Sequence, residues 1–336
     1  MTTLPGDTAD SLGAIGVPAT PLPGTEAAKA IEGRSLSQIA WGRLRRDRVA
    51  MVSGGFVVLL CLVAALASFI APHLGGGPRL YHSTLIDPNI QMPLGGYGGM
   101  SSKHLLGVEP TTGRDIAARV VKGAQWSLLV SFCATALTIV LGMIGGVVAG
   151  YFGGRVDWAV NWLMAVFLAF PVLLFGIAIG AGLPTTAFGL STNTLHIAVL
   201  IIIIGGLGWA YFGRIVRGLV LSLREREFID AARSLGASNL RILFRELVPN
   251  LIAPTLVFAS LAIPGNILAE AGFSFLGVGV QIPEPSWGNM LSDSLQYYQI
   301  DPAYLLVPGL AIFVTVLAFN LFGDGVRDAF DPRAGR

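Results

Sequence analysis

The side chains that most often do chemistry in proteins are scarce in this sequence and form no catalytic pattern. The spacing of the four histidines matches no zinc-ligand motif. The run from Gly272 to Leu276 is closest to a Gly-x-Ser-x-Gly nucleophile, but it lacks the second glycine. The three lysines are followed by Ala30, His104 and Gly123, so none completes the Gly-Lys-Ser/Thr of a phosphate-binding loop. We predict a chain that is not an enzyme and that binds neither a metal nor a cofactor itself.

Recognition of a partner protein is the chemistry that the polar stretch 224–246 favours. Phe228, Ala231 or Ala232, and Leu235 recur every three to four residues, which predicts a short helix with one apolar stripe. An amphipathic linker resting on lipid headgroups is the alternative. The small alanine pair argues against that alternative, because lipid anchoring favours bulky groups whereas alanine lets a partner approach closely.

A second short helix is predicted directly after the first. Gly236 suits the C-terminal turn of the first helix, and Ser238 can cap a helix that continues towards Pro249. Two helices joined at a glycine would form a projecting knob at the membrane surface.

The elements that must position this knob are membrane-spanning helices. Only 12% of the residues are charged and 53% are hydrophobic, and the mean hydropathy is +0.68. The 56 residues between Asp157 and Arg214 carry no charge. As one helix they would extend roughly 84 Å, against a hydrocarbon core of about 30 Å, so they must cross twice. In all, six spans are predicted in an all-α membrane protein, at 49–71, 123–154, 158–181, 195–218, 247–269 and 302–323.

The distribution of basic residues predicts the orientation. With both termini in the cytoplasm, inner segments hold 17 of the 22 Lys and Arg residues. The net charge of +2 gives no basis for binding nucleic acid. The predicted organisation is a disordered cytosolic tail with a basic collar at 1–48, a first span at 49–71, an outer loop with an amphipathic surface helix at 72–122, a five-helix core at 123–324 and a cytosolic tail at 325–336.

A family resemblance rests on motifs spread over about 104–336. The run FIDAARSLGASNLRILFRELVPN resembles the Glu-Ala-Ala loop of permease subunits of ATP-binding-cassette importers, in particular the second permease of the dipeptide/oligopeptide/nickel branch. Asp230 replaces the usual Glu, and VEPTTGRD replaces a shorter segment. Further similar motifs are TGRD at 112–115, GYFGGRVD at 150–157, FP at 170–171, RIVRG at 214–218, SLREREF at 222–228, AEAGFSFLGVGVQIPEPSWGNML at 269–291 and FNLFGDGVRDAFDPR at 319–333.

The resemblance implies a type I ABC importer transmembrane fold in a multi-pass protein of the bacterial inner membrane. It also implies two separate ATPase subunits with ATP and Mg, a homologous second permease and an extracytoplasmic solute-binding protein that docks on 72–125 and 273–302. Short peptides are the expected ligands, with nickel, haem or another small ligand as alternatives and a secondary transporter as the rival class. By carry-over, the residues that couple the chain to the ATPases are Glu227, Phe228, Asp230, Ala231, Ala232, Arg233, Gly236 and Arg241.

Three residues inside the predicted spans are candidates for the translocation path or its gate. Glu270 is an ionisable residue at membrane depth, where a charge is costly. It could gate the path or contact a peptide amino group, and the alternative is a structural hydrogen bond to a neighbouring helix or to the second permease. Pro171 and Pro264 can bend their helices.

Overall fold

The computed structural model describes residues 36–184, 189 and 191–331. Most of the predicted N-terminal tail, part of the turn after the third span and the last five residues lie outside the described residues. Within the described ranges the helices are α1 Leu36–Leu44, α2 Arg48–Ala65, α3 Ala67–Ile70, α4 Ile116–Phe152, α5 Gly154–Ala169, α6 Val172–Ala181, α7 Thr192–Leu223, α8 Glu227–Ser234, α9 Asn239–Arg241, α10 Val248–Phe275, α11 Trp287–Ser294 and α12 Pro302–Phe330.

Short elements complete these ranges. Ala71–His73 and Ser83–Leu85 form 3₁₀ turns, and a π-helical segment, Ile242–Leu247, joins α9 to α10. Strand-like pairing in the described part of the chain is limited to two isolated bridges, Ile86 with Pro93 and Val108 with Asp115.

The spans follow the prediction, with different bounds. Five helical stretches are long and apolar enough to cross a membrane, and a bent pair, α5 with α6, makes a sixth. The first span is shorter than 49–71, because its helix ends at Ala65. The fifth is longer than 247–269, because α9, the π-helical segment and α10 run on from Asn239 to Phe275. Pro254 and Pro264 lie inside α10, which continues past both.

The amphipathic surface helix predicted within 72–122 does not form. Residues 104–115 are loop, and the following residues are the first turns of α4. Asp115 starts that helix, because its Oδ1 accepts a hydrogen bond from the Ala118 amide at 2.7 Å. Arg119, expected on a polar outer face, is fully buried and pairs with Glu109 of the loop. The charged face is therefore covered by opposite charge from the loop and not by water.

The third span is broken at Phe170 and Pro171. The axes of α5 and α6 differ by 73°, and Pro171 occupies the N-cap of α6. Proline has no N–H, so it cannot continue the hydrogen-bond ladder of α5. Among the described residues, the carbonyls of Leu168, Ala169 and Phe170 accept no hydrogen bond from the backbone of α6.

The tightest helix packing joins α4 to α7 through glycines. Gly142, Gly146 and Gly150 recur every four residues and face α7. A Cβ atom on Gly146 would lie 2.6 Å from the carbonyl oxygen of Gly213. Small residues at this spacing let the helix backbones approach closely, which is a common basis of helix association in membranes.

Polar contacts fix the inner end, defined here as the end of the helices that carries α1, α8 and the C-terminus of α12. Asp157 of α5 pairs with Arg217 of α7 through two contacts, one of them 2.6 Å between Oδ2 and Nη2. Arg43 of α1 donates to the carbonyl oxygen of Asp331 after α12.

We expect Gly146→Leu to lower the melting temperature of the detergent-purified protein. The new side chain would collide with the α7 backbone, and overpacking of this kind costs about 1–3 kcal/mol. Gly218→Leu on α7 is the matched control, because nothing lies within 4 Å of a Cβ atom there. Equal melting temperatures for the two variants would contradict the packing argument.

Candidate functional site

The predicted knob exists as a compact helical turn at the inner end. Helix α8 covers Glu227–Ser234, and the turn that follows it contains Gly236, whose φ is +77°. The Gly236 amide donates to the Arg233 carbonyl at 2.9 Å, and the Ala237 amide donates to the Ala232 carbonyl at 3.0 Å. This pair of hydrogen bonds is a Schellman motif, which favours glycine at the left-handed position.

The second helix also begins where the sequence predicts. The Ser238 hydroxyl accepts a hydrogen bond from the Arg241 amide at 3.4 Å and caps α9. Helix α9 then passes without a turn through the π-helical segment into α10. The knob is therefore attached directly to a membrane-spanning helix.

Two residues that the sequence analysis missed hold the knob in place. Ile229 of α8 is fully buried in a cluster with Val216 and Val220 of α7. The Tyr151 hydroxyl donates to Asn239 Oδ1 at 2.9 Å, and the Arg233 guanidinium lies 5.7 Å from the Tyr151 ring centroid. Ile229 is apolar but lies outside the stripe formed by positions 228, 231 and 235. Its position in the sequence could therefore have indicated a second face of α8 that packs against this chain.

The predicted apolar stripe has the right spacing, but it faces away from this chain. Phe228 is 39% exposed, Leu235 is 88% exposed and Ala231 is also exposed. Ala232 is half-buried on the side of Ile229. The outward face thus presents bulky apolar groups on either side of an alanine, and no described residue of this chain covers it.

The charged residues of the knob are on the surface. Glu227 and Asp230 lie in the first turn of α8 and Arg233 in the last, which complements the helix dipole. Asp230 Oδ1 and Arg233 Nη1 are 3.5 Å apart and exposed. Arg241 is exposed as well. These side chains remain available for a partner.

The three candidates for the translocation path are separated in the structure. Glu270 is fully buried in α10, where its Oε1 accepts a hydrogen bond from the Ser274 hydroxyl at 2.7 Å. Ser274 Oγ in turn accepts from the Val280 amide at 3.1 Å, which ties the end of α10 to the segment that follows. Pro264 is buried within α10, whereas Pro171 is exposed at the α5–α6 bend. Only Pro171 lies at a surface.

A buried ionic cluster, absent from the predicted site residues, organises the outer loop. Glu109 pairs with Arg114, whose Nε lies 2.6 Å from Oε2, and also with Arg119 of α4. The Tyr304 hydroxyl of α12 donates to Glu109 Oε1 at 3.2 Å. The outer loop is thus fastened to two membrane-spanning helices. Its residues lie five or more positions apart or on distant helices, so no helical or strand period could reveal the cluster.

Comparison with known proteins identifies the family. The sequence model of the family described as binding-protein-dependent transport system inner membrane component matches residues 142–336. The chain belongs to this family. A second model, described as the N-terminal TM domain of oligopeptide transport permease C, matches residues 35–75. The predicted resemblance is therefore confirmed, and the protein is a multi-pass component of an inner membrane transport system.

Individual members of this family are similar over most of their length. The chain is 39% identical over 294 residues to the dipeptide transport system permease protein DppC of Alkalihalophilus pseudofirmus, covering 88% of this chain and 89% of the relative. It is 39% identical over 293 residues to the glutathione transport system permease protein GsiD of Escherichia coli O157:H7, covering 87% and 89%.

A solved structure supports the fold. An inward-facing crystal form of the MetNI methionine ABC transporter contains a chain that superposes with a TM-score of 0.51 at 18% identity, over 64% of this chain and 97% of that one. The prediction of a type I importer fold is confirmed.

Glu109→Ala should destabilise the protein strongly. It leaves Arg114 and Arg119 buried without their carboxylate, and breaking one partner of a buried ion pair costs about 3–5 kcal/mol. Asp230→Ala, which removes an exposed pair, should cost no more than about 1 kcal/mol. Thermal unfolding in detergent measures both, and similar losses for the two variants would contradict the assignment.

Asp293 of α11 gives the cluster a dependence on pH. Burial, reinforced by the nearby Glu109, raises the pKa of the Asp293 carboxyl above its ordinary value of 3.8. The folded state therefore binds this proton more tightly than the unfolded state, and the resulting stability is lost as the pH rises through the folded pKa. Asp293→Asn should melt above the wild type at neutral pH and level with it below pH 3.8. A difference that does not change with pH would contradict this.

Proposed function

We propose that this chain is one of two permease subunits of an ATP-driven importer of short peptides, and that α8 is the helix through which separate ATPase subunits move it. The observation that carries the proposal is the knob itself, a buried anchor on one side and an uncovered apolar stripe on the other. The sequence has no phosphate-binding loop, so ATP hydrolysis would belong to a partner.

Peptides are the ligand class that the relatives favour. DppC is named for dipeptide transport and GsiD for glutathione, which is a tripeptide. Both are similar to this chain along nearly nine tenths of its length. Both names therefore favour a peptide as the transported ligand. Nickel, haem or another small ligand is the alternative, and an uptake assay with each compound would distinguish them.

The contacts of the knob explain how a partner's movement would reach the membrane. An ATPase that held Phe228, Ala231 and Leu235 would pull on Ile229, which packs against α7, and on α9, which is continuous with α10. The exposed charges at Glu227, Asp230, Arg233 and Arg241 would set the orientation of the partner. Movement of the ATPases would then tilt both spans together.

The α5–α6 bend supports a second permease subunit. Unpaired backbone groups at membrane depth are tolerated only where protein or a water-filled cavity covers them. The residues around Pro171 are exposed in this chain, and so are Trp158 and Trp162 on α5, at 71% and 58%. We infer that a homologous permease covers this region.

The outer end offers a surface for the solute-binding protein. The ionic cluster around Glu109 holds the outer loop against α4 and α12, and Arg79 of the loop pairs with Glu284 in the segment before α11. The two regions expected to dock the binding protein are thereby joined into one surface.

Ala231→Arg tests the docking role of the knob. The residue is exposed, so the melting temperature should not change, whereas the bulky cation should keep the ATPase away. We expect peptide uptake by proteoliposomes that contain the full transporter to fall at least about tenfold, equivalent to about 1.4 kcal/mol. Co-purification of the ATPase subunits should be lost as well.

Ser222→Arg is the matched control, because Ser222 is also exposed at the inner end but precedes the knob. It should leave uptake and co-purification unchanged. The docking role is wrong if Ala231→Arg retains both, and the importer assignment is wrong if the wild-type chain never co-purifies with ATPase subunits.

A further inference from the structure

A large cavity lies between helices of the bundle, away from the knob, and is open on one side, where Tyr211 and Arg327 are exposed. Its volume is about 690 Å³, and its walls come from α4, α7, α10 and the inner end of α12. Sites for small ligands measure about 300–1,000 Å³ and combine apolar walls with a few polar groups. The residues that matter for its chemistry are Thr138, Tyr211, Phe258, Asn266 and Arg327.

The amide of Asn266 is held in a fixed orientation. Its Nδ2 donates to Thr135 Oγ1 of α4 at 2.8 Å, which leaves Oδ1 as an acceptor. Thr138, the next polar residue of α4 at this depth, donates to the Gly205 carbonyl at 3.2 Å. Polar side chains inside membrane spans are costly and by default mark a functional site.

An aromatic wall lies beside these polar groups. The Phe258 ring stacks on Phe212 with a centroid distance of 4.3 Å and lies 6.3 Å from the Tyr211 ring. Tyr211 is 60% exposed, and within the described ranges its hydroxyl has no hydrogen-bond partner. The wall thus offers apolar surface and one free hydroxyl group.

Arg327 gives the cavity its charge. It is the one charged residue among the described residues that line the cavity, and its guanidinium makes no ion pair or hydrogen bond within the described part of the chain. A guanidinium binds a carboxylate through two parallel hydrogen bonds. No acidic side chain of the described lining pairs with Arg327. The lining therefore fits a ligand whose anionic end would pair with this guanidinium.

The length of the cavity matches an extended peptide. Its lining on α10 runs from Pro254 to Asn266, which is about 18 Å at 1.5 Å per residue. An extended chain covers about 3.3–3.6 Å per residue, so about five residues fit along the wall.

We propose that this cavity holds the transported peptide, with its C-terminal carboxylate on Arg327 and its main-chain amides on Asn266 and Tyr211. This rests on the proposed function of the chain as a peptide permease. Bulky side chains of the peptide would lie against the Phe258 wall, where contact is apolar and unspecific. The cavity would thus recognise the peptide backbone and its charged end.

The test measures protection of a cysteine in the cavity and needs no binding protein. Ile215→Cys, an exposed position of the cavity lining that the proposal gives no binding role, is introduced in the full transporter with Cys61→Ala and Cys133→Ala. It is labelled with a maleimide in the presence of millimolar tetra-alanine or its C-terminal amide. We expect the acid to slow labelling at concentrations about tenfold lower than the amide, because only the acid can pair with the guanidinium. Adding Arg327→Gln should remove that difference.

Two controls keep the result specific. Arg214→Gln removes an exposed arginine of α7 outside the cavity lining and should preserve the difference between acid and amide. Labelling of Phe56→Cys on α2 should not respond to either peptide. Equal protection by acid and amide, no protection by either, or a difference that survives Arg327→Gln would overturn the proposal. Failure of the wild-type transporter to take up tetra-alanine would instead overturn the peptide substrate.

Discussion

The close approach of α4 and α7 is the constraint on which the rest of the structure depends. Glycines every four residues on α4 bring the two backbones within reach of each other, and no side chain could be added there without separating them. The same pair of helices supplies Tyr151 beneath the knob and Thr138 and Tyr211 in the cavity. A movement of α4 and α7 at the inner end must therefore also move them beside the cavity, because the two helices can shift only as a unit.

Different interactions hold the inner end and the outer end of the protein together. At the inner end the knob is held by the buried Ile229, by contacts with Tyr151 and by the Ser238 cap of α9. Its charged side chains remain exposed to solvent. At the outer end the loop is held by charges that are themselves buried, with Glu109 shared between two arginines and a tyrosine. The first arrangement leaves a surface free for a moving partner, and the second makes a rigid platform.

Much of the fold could be predicted from the sequence, because charge-free stretches and basic flanks report on the membrane directly. The two helices of the knob were predictable as well, since Gly236 and Ser238 act locally. The outer cluster and the cavity were not. Each depends on which distant residue lies opposite, as Glu109 does for Arg119, and local spacing carries no such information. The surface helix was predicted wrongly because its charges looked solvent-exposed in isolation.

The π-helical segment Ile242–Leu247 has a consequence for the geometry of the join between knob and span. Each π turn holds more residues than an α turn, so side chains after the segment are out of phase with those before it. Phe244 is 68% exposed while Ile242, Leu243 and Leu247 are buried. A helical wheel drawn straight from Asn239 to Phe275 would therefore misplace the residues after the segment relative to those before it. The π turns therefore set the angle of the knob about the axis of α10, and a regular α-helix of the same length would present the knob in a different direction.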